Sequence, residues 1–412
     1  MPSRIRKLNI GRKRIGLGLL AVLLLLVAGG YTQLSRHTDG IADLSRQTLG
    51  DEKTARLESW YLAGQDRVDQ LKYRLFGRST DPFGQGHVQL RAVSAASETT
   101  ANEDYTFEDE FPTIAAPVAV EQPKPAPLEL PEINPLGSNV NRGEAAWTTD
   151  GLPHSSPDDV LMAKTLFRPD PVRPYAAVGV LLIDKRRIRL HMTGGTEDPG
   201  GDLGIRGPGI VPDADRSDLL AAWNGGFKGP HGNWGMIADG KQYRPLRNGY
   251  ASVAVSDDGT ITIGEWGRDL SWNDDIVAVR QNAVLLVDNC EISRRANEGN
   301  NTWGYVQVNS AEFITWRSAI GVTRNGDLLV ASGNSLSAAT LARALWAAGA
   351  CYAMQLDINT PYVLTSLFFP QEDGSIGRAK FMGSMVDNPG RFLTRQTRDF
   401  MYVTLDETNF KP

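Results

Sequence analysis

Asp357 closes a strand-like run, Tyr352-Ala353-Met354-Gln355-Leu356, directly behind a well-marked helix. A carboxylate at the C-terminal end of a strand that a helix feeds stands where sheets commonly present ligand-binding groups. The same residue could equally cap a turn by bonding its own backbone. Upstream, the apolar run Leu219-Leu220-Ala221-Ala222-Trp223 reads as a buried strand, and Asn224-Gly225-Gly226-Phe227 behind it forces a sharp turn. The Asn224 amide offers two donors and an acceptor, and bare backbone at Gly225 and Gly226 lets a ligand come close. The plainer alternative is a glycine-rich turn between two core strands. His231 is the only histidine near that turn, and its titration range suits general acid or base work. It could equally bond a loop carbonyl. Arg317 carries a planar, permanently charged fork suited to a pair of phosphate oxygens, although an arginine at a strand start is often simply a surface residue. Arg280 and Asn282 lie beside an apolar strand and could line the same cleft.

Other chemistries leave no trace. No Gly-x-Ser-x-Gly elbow, His-Glu-x-x-His helix, Walker loop or Rossmann fingerprint occurs, so no cofactor is expected. Two cysteines, Cys290 and Cys351, are too few for a zinc site, and no metal is expected. In an exported chain they invite a bridge, yet each sits beside an apolar strand where a free thiol would also be content. A formal net charge of −5 and a pI near 5.7 argue against nucleic acid as a partner.

The order of these segments resembles the phosphodiester glycosidase family. Its members carry an Asn-Gly-Gly-Tyr/Phe turn, an Arg-Thr-Ala-Ile-Gly strand, a helix ending in Gly, and then Leu-Asp-Gly-Gly. Here the first is Asn224 to Phe227, the second Arg317-Ser318-Ala319-Ile320-Gly321, and the third a helix ending at Gly349. The fourth is Leu356-Asp357-Ile358-Asn359, with Ile and Asn in place of two glycines. The resemblance spans roughly residues 175–405. It implies cleavage of a sugar-1-phosphodiester at the anomeric carbon, with Asp357 in the active-site motif; Asp357 and, from its place near the turn, His231 are the catalytic candidates. Asn224, Gly225, Gly226, Arg317, Arg280, Asn282 and Asn359 become the substrate-binding candidates. Asp239 and Glu265 are possible partners of Asp357. A phosphate leaving group needs less acid help than an alkoxide, so one well-placed carboxylate could suffice. The branched Ile358 could narrow the pocket or abolish turnover, which leaves a silent glycan- or phosphopolymer-binding ectodomain as the rival reading.

The elements around these residues set the architecture. Arg4, Arg6, Lys7, Arg12, Lys13 and Arg14 precede the uncharged apolar run from Ile15 to Ala28, and we read residues 1–31 as an uncleaved signal-anchor in preference to a cleaved secretory signal, the alternative this pattern leaves open. The positive-inside rule then sends everything after it out of the cytoplasm, as a single-pass protein of the cell membrane. Sugar-phosphate or envelope polysaccharide becomes the expected partner, and the oligomeric state is open. Residues 51–76 read as an amphipathic juxtamembrane helix, with Leu57, Trp60, Tyr61, Val68, Leu71 and Leu75 at near-helical spacing. Residues 78–146, acidic and then rich in proline, read as a disordered linker. The head, residues 147–412, shows many strand signals and one clear helix, with Ser337 as N-cap and Gly349 as the C-terminal cap. Residues 176–183 and 186–191 look like a strand pair, as do 276–280 and 283–287. A glycine-rich loop, 194–209, contains Glu197, Asp198, Asp202 and Arg206 and has the length of a functional loop. The expected fold class is α+β, a large mixed β-sheet with few helices.

Overall fold

The structure is a computed structural model and describes residues 51–76, 82–83, 128–141, 143–304, 313–371 and 373–407. The signal-anchor segment, 1–31, lies outside the described residues, as does most of the 78–146 segment. Among the described residues no helix is long and apolar enough to cross a membrane.

The head is mostly β-sheet with few helices, but one large mixed sheet is corrected to three, in which every paired strand runs antiparallel. The first holds, in spatial order, β1 (Met162–Phe167), β2 (Val178–Ile183), β13 (Leu328–Leu336), β12 (Thr315–Thr323), β14 (Ala350–Ile358), β10 (Leu285–Asp288) and β11 (Glu291–Ile292). The second holds β16 (Ile376–Lys380), β15 (Thr365–Pro370), β4 (Leu219–Asn224), β17 (Phe400–Leu405) and β3 (Ile188–Thr193). The third holds β6 (Lys241–Arg244), β5 (Met236–Ala238), β9 (Ile276–Gln281), β7 (Ala251–Ser256) and β8 (Ile261–Glu265).

The first sheet is apolar on both faces, because it is covered on both. Val178, Val180 and Leu182 of β2 pack with the helix Ala338–Ala347, whereas Leu181 and Ile183 join a core shared with the other sheets. That helix begins at a reciprocal cap. Ser337 Oγ accepts from Thr340 N–H at 3.1 Å, and Ser337 N–H donates to Thr340 Oγ1 at 2.9 Å. Gly349 ends it at a φ of +90°.

Two expected strand pairs do not form. A 3₁₀ turn at Lys185–Arg187 carries the chain from β2 in the first sheet to β3 in the second, where β3 pairs with β17. Likewise β9 and β10 sit in different sheets, and Ala283 between them adopts a φ of +47°. Apolar runs close in sequence look like hairpins, but each found a better-matched partner elsewhere in the chain.

The final part of the supposed linker is also corrected. Leu128 is buried in the cluster that contains Leu341 and Leu345, and Ile133 and Leu136 pack against the same cluster. Trp147 Nε1 donates to the Pro131 carbonyl at 2.9 Å, and Arg168 pairs with Glu144 at 2.8 Å. The helix surface gives this proline-rich segment apolar area to bury, which offsets its ordering entropy.

Helix α1 (Asp51–Phe76) docks on the head through Asp66, whose carboxylate accepts from Arg173 Nε at 3.1 Å and from the Tyr175 hydroxyl at 2.6 Å. The Tyr73 and Tyr175 rings lie 6.0 Å apart, and Leu62 packs against a small cluster of Phe227, Trp234, Phe313 and Ile358.

Cys290 and Cys351 form a disulfide that ties the turn after β10 to the start of β14, across 61 residues of chain. Closing a loop of this length removes denatured-state entropy. Replacing both cysteines with serine is expected to lower unfolding stability by about 3 kcal/mol. Denaturant unfolding of the paired variant against the parent checks this, and equal midpoints would refute it.

Candidate active site

The site is built around the end of β14. Arg317 of β12 pairs with Ile358 of β14, while Ala319 pairs with Gln355. One residue of β12, Ser318, is therefore matched by two of β14, Leu356 and Asp357. This β-bulge re-aims the strand's last side chains. In a regular strand Gln355 and Asp357 would share a face. Here Gln355 turns to Arg317, its Oε1 accepting from Nη1 at 2.5 Å, and Asp357 turns instead to Arg398.

Asp357 is 6% exposed, and burial pushes its carboxyl up to about 6. The Arg398 guanidinium, which donates to Asp357 Oδ2, pulls in the opposite direction, as does the Ile358 N–H at 2.9 Å. A second carboxylate shares that arginine: Asp198 Oδ2 lies 3.6 Å from Arg398 Nε. Burial raises the Asp198 carboxyl too, against Arg398 and Lys228. Arg398 also lies over the Tyr362 ring, 4.6 Å from its centroid. Its buried Nε has no hydrogen-bond acceptor within reach, because the 3.6 Å gap to Asp198 is too long. Among the described residues, no group of three or more His, Cys, Asp or Glu side chains is arranged to hold a metal.

Three chain segments deliver these groups. Asp198 belongs to the glycine-rich loop, whose Glu197 and Asp198 N–H groups both donate to the Thr397 carbonyl, at 3.0 and 2.8 Å. Gly195 permits that close approach, since a Cβ there would stand 2.2 Å from the same carbonyl. Arg398 and Asp399 immediately precede β17, whose Phe400 pairs with Asn224 of β4. Lys228 follows the Asn224 turn.

Several residues expected to bind substrate make hydrogen bonds that hold this frame. Asn224 does reach Asp357, through Ser318: its Nδ2 donates to Ser318 Oγ at 2.9 Å, and Ser318 Oγ donates to the Asp357 carbonyl at 2.8 Å. Its Oδ1 accepts from Leu364 N–H at 3.2 Å, so the amide is occupied by protein. Gly225 and Gly226 make room for side chains of the chain itself. A Cβ at Gly225 would fall 2.0 Å from Asp399 Oδ2, and one at Gly226 would fall 2.7 Å from Arg280 Cζ. Gly225 O accepts from Asp357 N–H at 2.9 Å, which seats the turn against β14.

Arg280 is fully buried. It pairs with Asp399 at 2.8 Å and donates to the carbonyls of Phe227 and Gln281 at 2.7 and 2.9 Å. Asn282 is equally buried, bonding the carbonyls of Gln355 and Leu356 at 2.8 and 3.2 Å. Arg317, expected to bind substrate, is held within the protein. It is 1% exposed and donates to Leu336 O at 3.0 Å, Phe313 O at 2.7 Å and Trp303 O at 3.2 Å besides Gln355. It ties β12, β13 and the Phe313 segment together, and the cation beside Asp357 is Arg398.

Asn359 adopts a φ of +78°, a conformation Asn tolerates better than most side chains. Its Oδ1 accepts from Thr315 Oγ1 at 2.8 Å, so it holds the turn rather than reaching into the site. Ile358 packs with Phe227, Trp234 and Phe313, in the cluster that Leu62 also touches. The Ile-Asn pair therefore keeps a turn that two glycines could also make. His231 lies in a 3₁₀ turn, Gly229–His231, half-buried on the loop that starts at Lys228. Asp239 accepts from Gly194 N–H and the Tyr243 hydroxyl, and Glu265 sits beside Arg268, so neither partners Asp357.

Asp198, Arg398, Asp399, Lys228 and Tyr362 are the site residues that the motifs miss. Arg398-Asp399 has one sequence signal, an adjacent pair of opposite charges at the threshold of the last apolar strand.

A family model described as phosphodiester glycosidase matches residues 217–357. No curated protein matches. Among solved structures, the zebrafish N-acetylglucosamine-1-phosphodiester alpha-N-acetylglucosaminidase catalytic domain, auto-inhibited by its pro-peptide, is 17% identical, with 62% of this chain and 87% of that chain covered and a TM-score of 0.39. A hypothetical protein from Synechocystis is 12% identical, with 56% and 59% covered and a TM-score of 0.29. Both likenesses are distant, and Asp198, Arg398 and Asp399 all lie beyond the matched stretch. With its Asn224 turn, its Arg317 strand and Asp357 at its end, the stretch 217–357 belongs to the phosphodiester glycosidase family.

Proposed function

We propose that this protein hydrolyses a sugar-1-phosphodiester at the anomeric carbon, with Asp357 acting there in its ionised form. The carrying observation is the buried Asp357–Arg398 pair, whose Arg398 Nε lacks an acceptor. A buried donor without a partner is costly, and a phosphate oxygen is a suitable acceptor for it. Lys228, which acts electrostatically on both Asp357 and Asp198, adds positive charge at the same place. Asp198 is the second carboxylate, placed to keep Arg398 oriented and to hold a proton when an anion arrives. Phosphate is a good leaving group, so the demand falls on attack at carbon rather than on protonation of oxygen. His231, on the loop beyond Lys228, would contact the sugar or its second substituent.

The setting is supported by different observations. The basic cluster before Ile15 to Ala28 favours an anchored, exported protein. The Cys290–Cys351 disulfide suits an oxidising compartment. An envelope polysaccharide or phosphopolymer is then the substrate class within reach.

The test is to incubate the full chain with a panel of sugar-1-phosphodiesters and measure released sugar. Asp357→Asn is expected to lower kcat by about 10²–10⁴-fold in a chain that still folds, with a lower thermal unfolding midpoint because the buried Arg398 loses its counter-charge. Binding without product from any member of the panel would instead indicate a silent glycan-binding head.

The pH dependence follows from the raised carboxyl. Asp357 must lose its proton to act, so kcat/KM should rise through pH about 6 and level off above it. Arg398 favours the ionised form, so Arg398→Gln should move that limb to higher pH as well as raise KM. A limb that stays in place would refute the pairing. Arg317→Ala should behave differently, losing about 3 kcal/mol or more of stability because buried carbonyls lose their donor. Normal unfolding with weakened substrate binding would return Arg317 to the site.

A further inference from the structure

Tyr362 lies in the turn between β14 and β15, shortly after the Ile-Asn pair that stands in place of two glycines. The backbone beneath its ring is held at both ends of the peptide. Tyr362 N–H donates to the Asn359 carbonyl at 3.2 Å, and the Asn359 side chain is itself fixed by Thr315. Arg391 donates through Nη1 to the Tyr362 carbonyl at 3.3 Å and through Nη2 to the Pro361 carbonyl at 2.8 Å. Pro361 adds a locked φ and has no N–H of its own to satisfy. A side chain carried on backbone so restrained is placed before any ligand arrives. The half-buried ring meets the site through Arg398, whose guanidinium carbon lies over it, 4.6 Å from the centroid.

One hydrogen bond does not orient a planar guanidinium. Arg398 Nη2 donates to Asp357 Oδ2, yet the plane can still turn about that contact. Arg398 Nε is 3.6 Å from Asp198 Oδ2, too far for a bond that would stop the rotation. A cation over an aromatic face is drawn to the ring's negative quadrupole, and more strongly where water is excluded. Tyr362 therefore supplies the second restraint. With Nη2 on Asp357 and the guanidinium over the ring, the direction of Nε is set, and Nε is the buried donor that lacks an acceptor.

We propose that Tyr362 is a positioning residue of this site, its ring fixing the plane of Arg398 so that one edge stays on Asp357 while Nε stays aimed at an anionic oxygen. That this anion is a phosphodiester rests on the reaction proposed above; the aromatic support of Arg398 stands on the geometry. The altered motif then has a use in this chain. Asn359 takes the positive φ that a glycine would take, and its side-chain bond to Thr315 steadies the turn on which Tyr362 is carried.

The experiment compares Tyr362→Leu, which removes the ring, with Tyr362→Phe, which keeps it, both in the full chain. Tyr362→Met replaces the leucine variant should that one fail to fold. Arg398, Lys228 and Asp399 act on Asp357, and Asp198 shares Arg398. All four remain in each variant, so a displaced pH limb reports where Arg398 sits. Tyr362→Leu should raise KM about tenfold, more than it lowers kcat. It should also move the acidic limb of kcat/KM up by about half a pH unit, because Asp357 loses part of its counter-charge. Tyr362→Phe should keep the limb at the parent's pH. A leucine variant that melts lower but keeps KM and limb makes Tyr362 a packing residue and overturns the proposal, as do equal shifts in the two variants. Calorimetry with dimethyl phosphate reads the same site without turnover. The parent and Tyr362→Phe should bind it about tenfold more tightly than Tyr362→Leu. Equal binding by all three, or none by the parent, overturns the role of Tyr362. That order of binding in a chain that cleaves no diester would support Tyr362 and overturn the hydrolytic reaction alone.

Discussion

A buried carboxylate beside a buried guanidinium is the constraint on which the rest of the site depends. Neither Asp357 nor Arg398 would be tolerated there alone, since an uncompensated buried charge costs several kcal/mol. Together they hold, but only if three distant pieces of chain meet accurately. The bulge at Leu356–Asp357 aims the carboxylate, the backbone before β17 delivers the guanidinium, and the 194–209 loop brings Asp198 beside that guanidinium. Failure of any one of the three would leave a charge unpaired.

Two further buried arginines act as struts on either side of this pair. Arg280 clamps Asp399, which in turn accepts from Gly226 N–H at 3.0 Å and so locks the glycine turn against the C-terminal segment. Arg317 clamps Gln355 and the ends of neighbouring segments. The bulge separates the two jobs of β14: Gln355 serves the strut and Asp357 serves the site. Local backbone irregularity is thus what lets one strand carry structure and chemistry within three residues.

Much of this was legible in the sequence, for identifiable reasons. Ser337, Thr340 and Gly349 mark the helix because capping is local chemistry. The meeting of Asn224 with Asp357 was legible through the order of short motifs, though its route through Ser318 was not. Sheet membership was not legible, because β3 pairs with a strand over 200 residues away and nothing local in β2 or β3 says so. The buried hydrogen bonds of Arg317 and Arg280 are not legible in the sequence for a chemical reason. An arginine suits phosphate and buried carbonyls equally well, and only the fold decides which it meets. The loop that carries Asp198 is marked by its length, but nothing local pairs Asp198 with Arg398, because charged residues in loops usually face water and only their convergence sets them together.

In the proposed reaction the bond that breaks lies between the anomeric carbon and oxygen, at the end of β14. Hydrolysis of a sugar-1-phosphodiester in ¹⁸O-enriched water reads this directly, by mass spectrometry of both products. Attack at carbon beside Asp357 places the heavy oxygen on the released sugar and leaves the phosphate unlabelled. Label in the phosphate would mean attack at phosphorus, and the assignment of Asp357 to the anomeric carbon would be wrong.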